Sequence, residues 1–436
     1  MKPVISIYEH QRIPFGNISE GGSPCLTNSQ IRELGRLQKH LPKKSFEWGH
    51  NSIKWGSFVG LVPLTDVVIE ISPKLHSDKT DVTHGREVLL KMLAETGIFK
   101  LHQSSRTDVG LHNHSILDIF IQEFCNSLRA QVQQGVDRSY QQNINNLPVL
   151  RGKLLFDQHL KHNLASKNLL YCQYDELSHD TPLNQLILAT LAALQTTCNS
   201  QKIKQAVIEL RKSFDDVSLL PPSSVLANKV HFDRTNERFV IIEHRCRQLL
   251  SGLYPDVTSG ENAGLGLLFN MNKLFETWLE TVFRKISVQS DLSFTSQRPV
   301  KYVASRETDS TGETKAFRLQ PDLMIYPKDG IKHHSPILIA DAKWKLIPTT
   351  EKGAKISPSD IHQIQSYASI YRADHVALVF PKQNDKQKTL TYQMNDKNRT
   401  NLLLVFVAVD TSANALAIEL QSVFQLSQYK QESSTK

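Results

Sequence analysis

The hydrophobic pattern changes period twice along the chain. To about Ser72 the apolar positions fall in short runs broken by glycine and proline. "NSIKWGSFVGLVPL" reads as a strand pair, and "DVVIEISPK" as a strand through Val68 and Ile71 stopped by Pro73. From Gly85 the period becomes helical. "GREVLLKMLAETG" predicts a helix closed by Gly97, and "SILDIFIQEFCNSLRAQVQQG" a longer one closed by Gly135. "LPVLRGKLLF" is strand-like. "TPLNQLILATLAALQTT" is apolar nearly all round, which predicts a buried helix, and "RTNERFVIIEHRCRQLL" is amphipathic.

A third pattern begins near Gly260. "GLLFNMNKLFETWLETVFRKI" predicts a helix with Leu268, Met271, Phe275, Leu279 and Phe283 along one stripe. Strands are expected around residues 300–303, 323–326, 337–343, 375–380 and 402–409, interrupted by a helix over residues 358–371. That helix has Ser357 as N-cap, Pro358 in its first turn and Asp360 as the return partner of a capping box. "SRETDSTGETK" reads as an exposed loop. The expected fold class is multidomain α/β: a β-rich N-terminal domain (residues 1–84), a mainly helical middle region (85–259), a self-contained C-terminal α/β sandwich (260–428) and a disordered tail (429–436).

Composition narrows the class without deciding it. At 436 residues, 40% apolar and 22% charged, the chain has the make-up of a soluble globular protein with two or three cores. No run approaches the roughly 20 apolar residues of a membrane span, and the first residues lack a signal-peptide core. The five cysteines are scattered with no Cys-x-x-Cys pair, which argues against a disulfide framework and a zinc site. The cytoplasm is the expected compartment. A net charge of +8 suits a polyanionic partner such as DNA. No G-x-x-x-x-G-K-[ST] occurs, and the glycines of "GENAGLGLLF" lack the phosphate-loop lysine, so nucleotide hydrolysis by this chain alone is not expected.

The candidate chemistry lies in "LQPDLMIYPKDGIKHHSPILIADAKWK". Strand alternation puts Ile337, Ile339, Asp341 and Lys343 on one side, and Leu338, Ala340, Ala342 and Trp344 on the other. "PKDG" offers a turn that returns Asp322 beside the second strand. Two converging carboxylates repel unless a proton or cation intervenes, and a hard divalent ion that keeps waters, Mg²⁺, suits them. The Lys343 ammonium can then orient a metal-bound water or stabilise charge growing on a phosphate. An isolated Asp-x-Lys is more commonly a solvated strand end. His333 and His334 read as a solvent-exposed pair.

An acidic helix upstream, and a downstream helix with Gln363 and Tyr367 at i, i+4, complete a pattern that resembles the PD-(D/E)XK nuclease core. More narrowly, "FNMNKLFETWL", "RLQPDLMIY", "LIADAKWK" and "DIHQIQSYA", in this order, resemble the McrC family, the nuclease subunits of McrBC methylation-dependent restriction systems. "GLVPLTDVVIEISPKL", "LPVLRGKLLF" and "YDELSHDTPLNQLI" extend the resemblance upstream, and the polar loop from Ser305 to Lys315 departs from it. The resemblance implies a PD-(D/E)XK restriction-endonuclease-like C-terminal domain with Asp322, Asp341 and Lys343 as its catalytic set. It also implies a helix acid that completes the Mg²⁺ site with Asp322 and Asp341: Glu276, with Glu280 as rival. Gln363 and Tyr367 match a Q-x-x-x-Y element that faces the active site or DNA, although Tyr367 in the core with Gln363 outward is nearly as consistent a placement. The implied substrate is DNA, and the implied partner is an McrB-like AAA+ GTPase ring, docked through the N-terminal domain. Two rival readings remain: a non-catalytic DNA-binding adaptor that only regulates the ring, and a glycosidase with paired acids, which has no use for Lys343.

Overall fold

In the computed structural model, which describes residues 3–16, 24–39, 41–75, 82–98, 116–164, 168–198, 200–221, 224–253, 268–308, 312–328, 331, 335–350, 353–395 and 399–426, two small sheets form the first section. Its elements are β1 (Val4–Tyr8), β2 (Arg12–Pro14), α1 (Asn28–Leu37), β3 (Phe46–Trp48), β4 (Ser52–Trp55), β5 (Phe58–Pro63) and β6 (Val68–Ser72). β6 pairs parallel with β1 and antiparallel with β5, while β4 sits between β2 and β3. Ile7, Ile13, Phe46, Ile53, Trp55 and Ile69 fill the space between the sheets. Helix α1 was not expected. "NSQIRELGRL" is largely polar, and its start is fixed locally by a capping box between Thr27 and Gln30.

The middle section contains α2 (Val82–Glu95), α3 (Ile116–Val132), β7 (Ser139–Leu147), β8 (Lys153–Leu154), α4 (Phe156–Asn163), β9 (Leu170–Ser178), α5 (Pro182–Thr197), α6 (Gln201–Arg211), α7 (Ser224–Asn228) and α8 (Val240–Leu253). α5, capped by Thr181, is buried along most of its length, as its apolar sequence predicts. The antiparallel sheet β7-β9-β8 is a departure from a mainly helical region. β7, "SYQQNINNL", is half-buried at most, so its sequence carries no apolar alternation to reveal it.

The last section holds β10 (Leu268–Asn270), α9 (Met271–Ser290), β11 (Ser293–Ser296), β12 (Lys301–Thr308), β13 (Gly312–Leu319), β14 (Leu323–Tyr326), β15 (Leu338–Ala342), β16 (Thr349–Thr350), β17 (Gly353–Ala354), α10 (Pro358–Tyr371), β18 (His375–Pro381), β19 (Leu390–Gln393), β20 (Asn401–Val407) and α11 (Ala413–Val423). Six strands form one mixed sheet in the order β11-β14-β15-β18-β20-β19. β15, β18 and β20 run parallel, and β14 lies antiparallel beside β15 with Leu323 opposite Ala340. Leu338 and Ala340 pack with Phe275, Leu279 and Phe283 of α9 and Leu416 of α11. Ile339 and Leu378 pack on the other face with Ile364, Tyr367 and Tyr371 of α10. The result is a helix–sheet–helix sandwich.

Four expectations change. The helix from Gly260 onward starts at Met271, capped by Asn270, and Leu268 lies in β10, paired with Gly60 of β5. Within "SRETDSTGETK", residues 305–308 and 312–315 are paired strand, in β12 and β13, rather than loop. Ile337 packs with Leu338 instead of Ile339, because the regular strand begins only at Leu338. The last section is also not closed off. β10 extends the first sheet, the Trp278 indole N–H donates to Glu95 at 2.7 Å, and one core cluster takes in Leu61, Leu186, Phe275 and Leu338. His333, His334, the glycines before Leu268 and the C-terminal tail lie outside the described residues.

Candidate active site

β15 is a central strand, and its residues from Leu338 to Ala340 are fully buried. Asp341 continues it in register with Leu378 and is only 1% exposed. Burying a carboxylate at that depth is costly unless something compensates it. Asp322 stands just before β14, and its Oδ2 accepts the Ala342 backbone N–H at 2.9 Å. The antiparallel β14–β15 pairing therefore brings the two acids to one end of the sheet, as the turn between them predicts.

Lys343 lies at the same end. Its backbone N–H donates to the Val379 carbonyl at 2.9 Å, holding the chain beside β18 after β15 ends. Its Nζ is 2.6 Å from Asp341 Oδ2 and donates to Gln363 Oε1 at 2.8 Å. Gln363 Nε2 in turn donates to the Tyr367 hydroxyl at 2.9 Å, and that hydroxyl donates to the Gln320 carbonyl at 3.1 Å. The Tyr367 ring lies in the core, while Gln363 turns inward to Lys343 rather than outward. The i, i+4 pair on α10 thus fixes the lysine through one amide.

Asp360 departs from its expected part. Ser357 caps α10 by accepting the Asp360 N–H, but the Asp360 carboxylate turns to Lys345 Nζ, at 2.9 and 3.1 Å, and stands 3.9 Å from Lys343 Nζ. Neither Asp360 nor Lys345 stood out as a site residue. The one trace in the sequence is the spacing Asp341, Lys343, Lys345, although the strand itself ends at Ala342.

Glu276 on α9 accepts from Gln297 Nε2, and its charge raises the proton affinity of both aspartates. Glu280, one turn on, pairs with Arg284 at 2.7 Å. Of the two candidate acids, Glu276 is the one that faces the pair.

Burial, reinforced by the neighbouring Asp341, pushes the Asp322 carboxyl up to about 7. Burial also raises Asp341, against the pull of the Lys343 ammonium. Asp360 moves the other way: burial opposes ionisation, but hydrogen bonds from Lys345 and Ser357 outweigh it. Asp341 Oδ2 is buried, and the Lys343 ammonium is the partner that compensates it. Two adjacent carboxylates of raised proton affinity, one buried and one half-buried, fit a hard cation that completes its shell with water. Among the described residues no three His, Cys, Asp or Glu side chains gather closely enough to hold one ion, so Asp322, Asp341 and Glu276 do not form a closed three-acid set in this structure.

The fold and site define a mixed α/β protein with buried carboxylates and a tethered lysine at one end of a central sheet. The family model for the McrBC 5-methylcytosine restriction system component matches residues 53–381, and the chain belongs to that family. It is similar to a chain of the refined half-complex from the tetradecameric assembly of Thermococcus gammatolerans McrB AAA+ hexamers with bound McrC. Identity there is 19%, over 96% of this chain and 100% of that one, with a TM-score of 0.69. It is also similar to a chain of the cryo-EM structure of the Thermococcus gammatolerans McrBC complex, with 22% identity over 67% of this chain and 89% of that one and a TM-score of 0.50. No curated protein matches. Among the described residues no helix is long and apolar enough to cross a membrane.

Proposed function

We propose that this chain is the DNA-cutting subunit of a methylcytosine-dependent restriction system, a Mg²⁺-dependent endodeoxyribonuclease of the PD-(D/E)XK type. The observation that carries the reading is the half-buried Asp322 brought beside the buried Asp341, both raised in proton affinity, with the Lys343 ammonium 2.6 Å from one of them. A structural strand end has no reason to retain so costly an arrangement. A glycosidase has no part for the lysine, and an adaptor has none for the paired acids.

Asp322 and Asp341 would hold the ion, with the Glu276 charge on the neighbouring helix adding to their pull on it. Bound there, Mg²⁺ supplies charge neutralisation at the scissile phosphate and acidifies a coordinated water. Lys343 keeps a fixed positive charge beside the position where negative charge grows during phosphodiester cleavage. Gln363 holds that ammonium in place, and Tyr367 holds Gln363.

The McrBC structures that this chain resembles contain McrB AAA+ hexamers with bound McrC. The absence of a phosphate-loop motif agrees with a division of labour in which an McrB-like GTPase ring supplies nucleotide-driven control and this chain supplies the cut. Residues 1–84 are proposed to dock on that ring. The test is co-expression with such a partner, followed by cleavage of methylated and unmethylated plasmid with GTP, with and without Mg²⁺. Cutting confined to methylated plasmid with both GTP and Mg²⁺ is the expected result, and cutting that persists in EDTA counts against the reading.

A further inference from the structure

β15 ends at Ala342, so the stretch that carries Lys343 and Lys345 lies beyond the ladder that fixes Asp341. Its backbone is tied at Lys343, whose N–H donates to Val379, and at Lys345, whose N–H donates back to the Lys343 carbonyl at 2.9 Å. The side chains go to opposite faces. Lys343 and Lys345 turn to Gln363 and Asp360 of α10, while Trp344 between them is buried in the core on the α9 side. There its ring meets Phe275 of α9 in an edge contact, with centroids 5.3 Å apart.

The polar end of that indole is held by a different part of the chain. The Trp344 N–H donates to Glu9 Oε1 at 2.7 Å, a bond from the last section to the first. Glu9 is itself fixed. Its backbone N–H donates to the Ser72 carbonyl at 3.0 Å, at the end of the β1–β6 pairing, and Oε1 also accepts the Lys74 N–H at 3.0 Å. The residue is 2% exposed. Its other oxygen, Oε2, is 3.8 Å from the His10 ring and has no hydrogen-bond partner among the described residues. One oxygen thus takes both donors, so the tie needs a fixed acceptor and not a charge.

A cavity of about 300 Å³ borders the bond, lined by Glu9, Lys74, Trp344, Lys345 and Pro381 among others. Packing is incomplete on that side, which leaves the hydrogen bond to set the orientation of the indole.

We propose that Glu9 is a positioning residue for the cutting site, acting through Trp344 on Lys343. Lys343 Nζ keeps 2.6 Å to Asp341 and 2.8 Å to Gln363 at once, and a backbone that pivots at Trp344 disturbs both. Misplacement of a reacting group by about 1 Å can cost on the order of a hundredfold in rate. The first section, read above as the part that docks on the ring, therefore bears on the cutting lysine through one bond. The effect on cleavage rests on the nuclease reading; the effect on the Lys343 segment does not.

The test compares full-length wild type with four variants. Glu9→Ala removes the acceptor, Glu9→Gln keeps it, and Trp344→Phe keeps a ring against Phe275 but removes the N–H. Glu95→Ala is the control, because Glu95 accepts the Trp278 indole N–H at the same 2.7 Å elsewhere between sections. Amide hydrogen exchange of the peptide covering residues 341–347 is read by mass spectrometry without DNA or metal. Single-turnover cleavage and DNA affinity are read with the ring partner, GTP and Mg²⁺. In Glu9→Ala and Trp344→Phe that peptide should exchange about fivefold faster or more, the effect of losing one hydrogen bond. Their cleavage rate should fall about 10- to 100-fold at unchanged DNA affinity, and the double variant should fall no further. Glu9→Gln and Glu95→Ala should stay near wild type in both readouts. A merely structural bond would lower thermal stability in Glu9→Ala and Glu95→Ala alike and leave the rate per folded molecule unchanged, which overturns the proposal. Unchanged exchange in Glu9→Ala and Trp344→Phe, or no rescue by Glu9→Gln, overturns it as well. Wild-type cleavage tests the nuclease reading by itself, and the exchange decides the Glu9 tether whether or not wild type cuts.

Discussion

Asp322 Oδ2 accepts the backbone N–H of Ala342 at 2.9 Å, so the first acid is tied to the residue that follows the second. In the proposed nuclease the pair is expected to work as one unit. Asp322→Ala and Asp341→Ala should each lower cleavage by about a thousandfold or more, and the double variant should lose little further, because either change already breaks the shared site. Single-turnover cleavage measures the loss, and circular dichroism should show an unchanged fold. Additive losses would mean that the two acids act separately.

The next prediction concerns the lysine tether. Gln363→Ala frees Lys343 Nζ from its 2.8 Å acceptor without removing the charge. Cleavage rate should fall about 10- to 100-fold, the usual consequence of removing a group that orients a functional side chain, while DNA affinity is retained. Lys343→Met should go further and abolish cutting. A Gln363→Ala variant that loses DNA affinity and keeps its rate would place Gln363 on the substrate instead.

Glu276 and Glu280 are separable by experiment. Glu276→Gln should raise the Mg²⁺ concentration needed for half-maximal cutting, because its charge acts on both aspartates. Glu280→Gln should leave that concentration unchanged, since it breaks only an i, i+4 pair with the mostly exposed Arg284, worth about 0.5 kcal/mol or less. Mg²⁺ titrations of cleavage by both variants decide the matter.

A pH prediction follows from Glu9. Its carboxylate accepts the Trp344 indole N–H at 2.7 Å and the Lys74 backbone N–H at 3.0 Å, yet burial outweighs these bonds and raises it from 4.5 to about 7. The folded protein thus holds a proton that the unfolded chain releases. The stabilising contribution is complete below about pH 4.5 and is lost as pH rises through about 7, a change on the order of 3 kcal/mol. Glu9→Gln keeps an acceptor for Trp344 and should remove that slope. Urea unfolding between pH 5 and about 8 should show wild type losing stability relative to the variant; parallel curves would contradict the assignment.

The sequence made the site legible because its signals are local. The strand through Leu323 and Tyr326 and the helix from Pro358 to Tyr371 lie where alternation and capping predict them. Asp322, Asp341 and Lys343 meet because a single antiparallel pairing joins them. Other features left no such trace. α1 and β7 are polar along most of their exposed length, so neither period shows. Glu9 and Trp344 are 335 residues apart, and no spacing rule links a β1-flanking acid to an indole just beyond β15. Asp360 has a capping pattern that matches its position but not its partner, because Lys345 offers its carboxylate a charged donor.

The central claim is that Asp341 serves a metal-dependent cut rather than the stability of the sheet. The most direct measurement is cleavage of methylated plasmid by purified Asp341→Ala, assembled with an McrB-like ring and supplied with GTP and Mg²⁺. Wild type should cut. The variant should assemble with the ring and support GTP turnover as wild type does, yet leave the plasmid intact. Mg²⁺-dependent cleavage retained by Asp341→Ala would contradict the account.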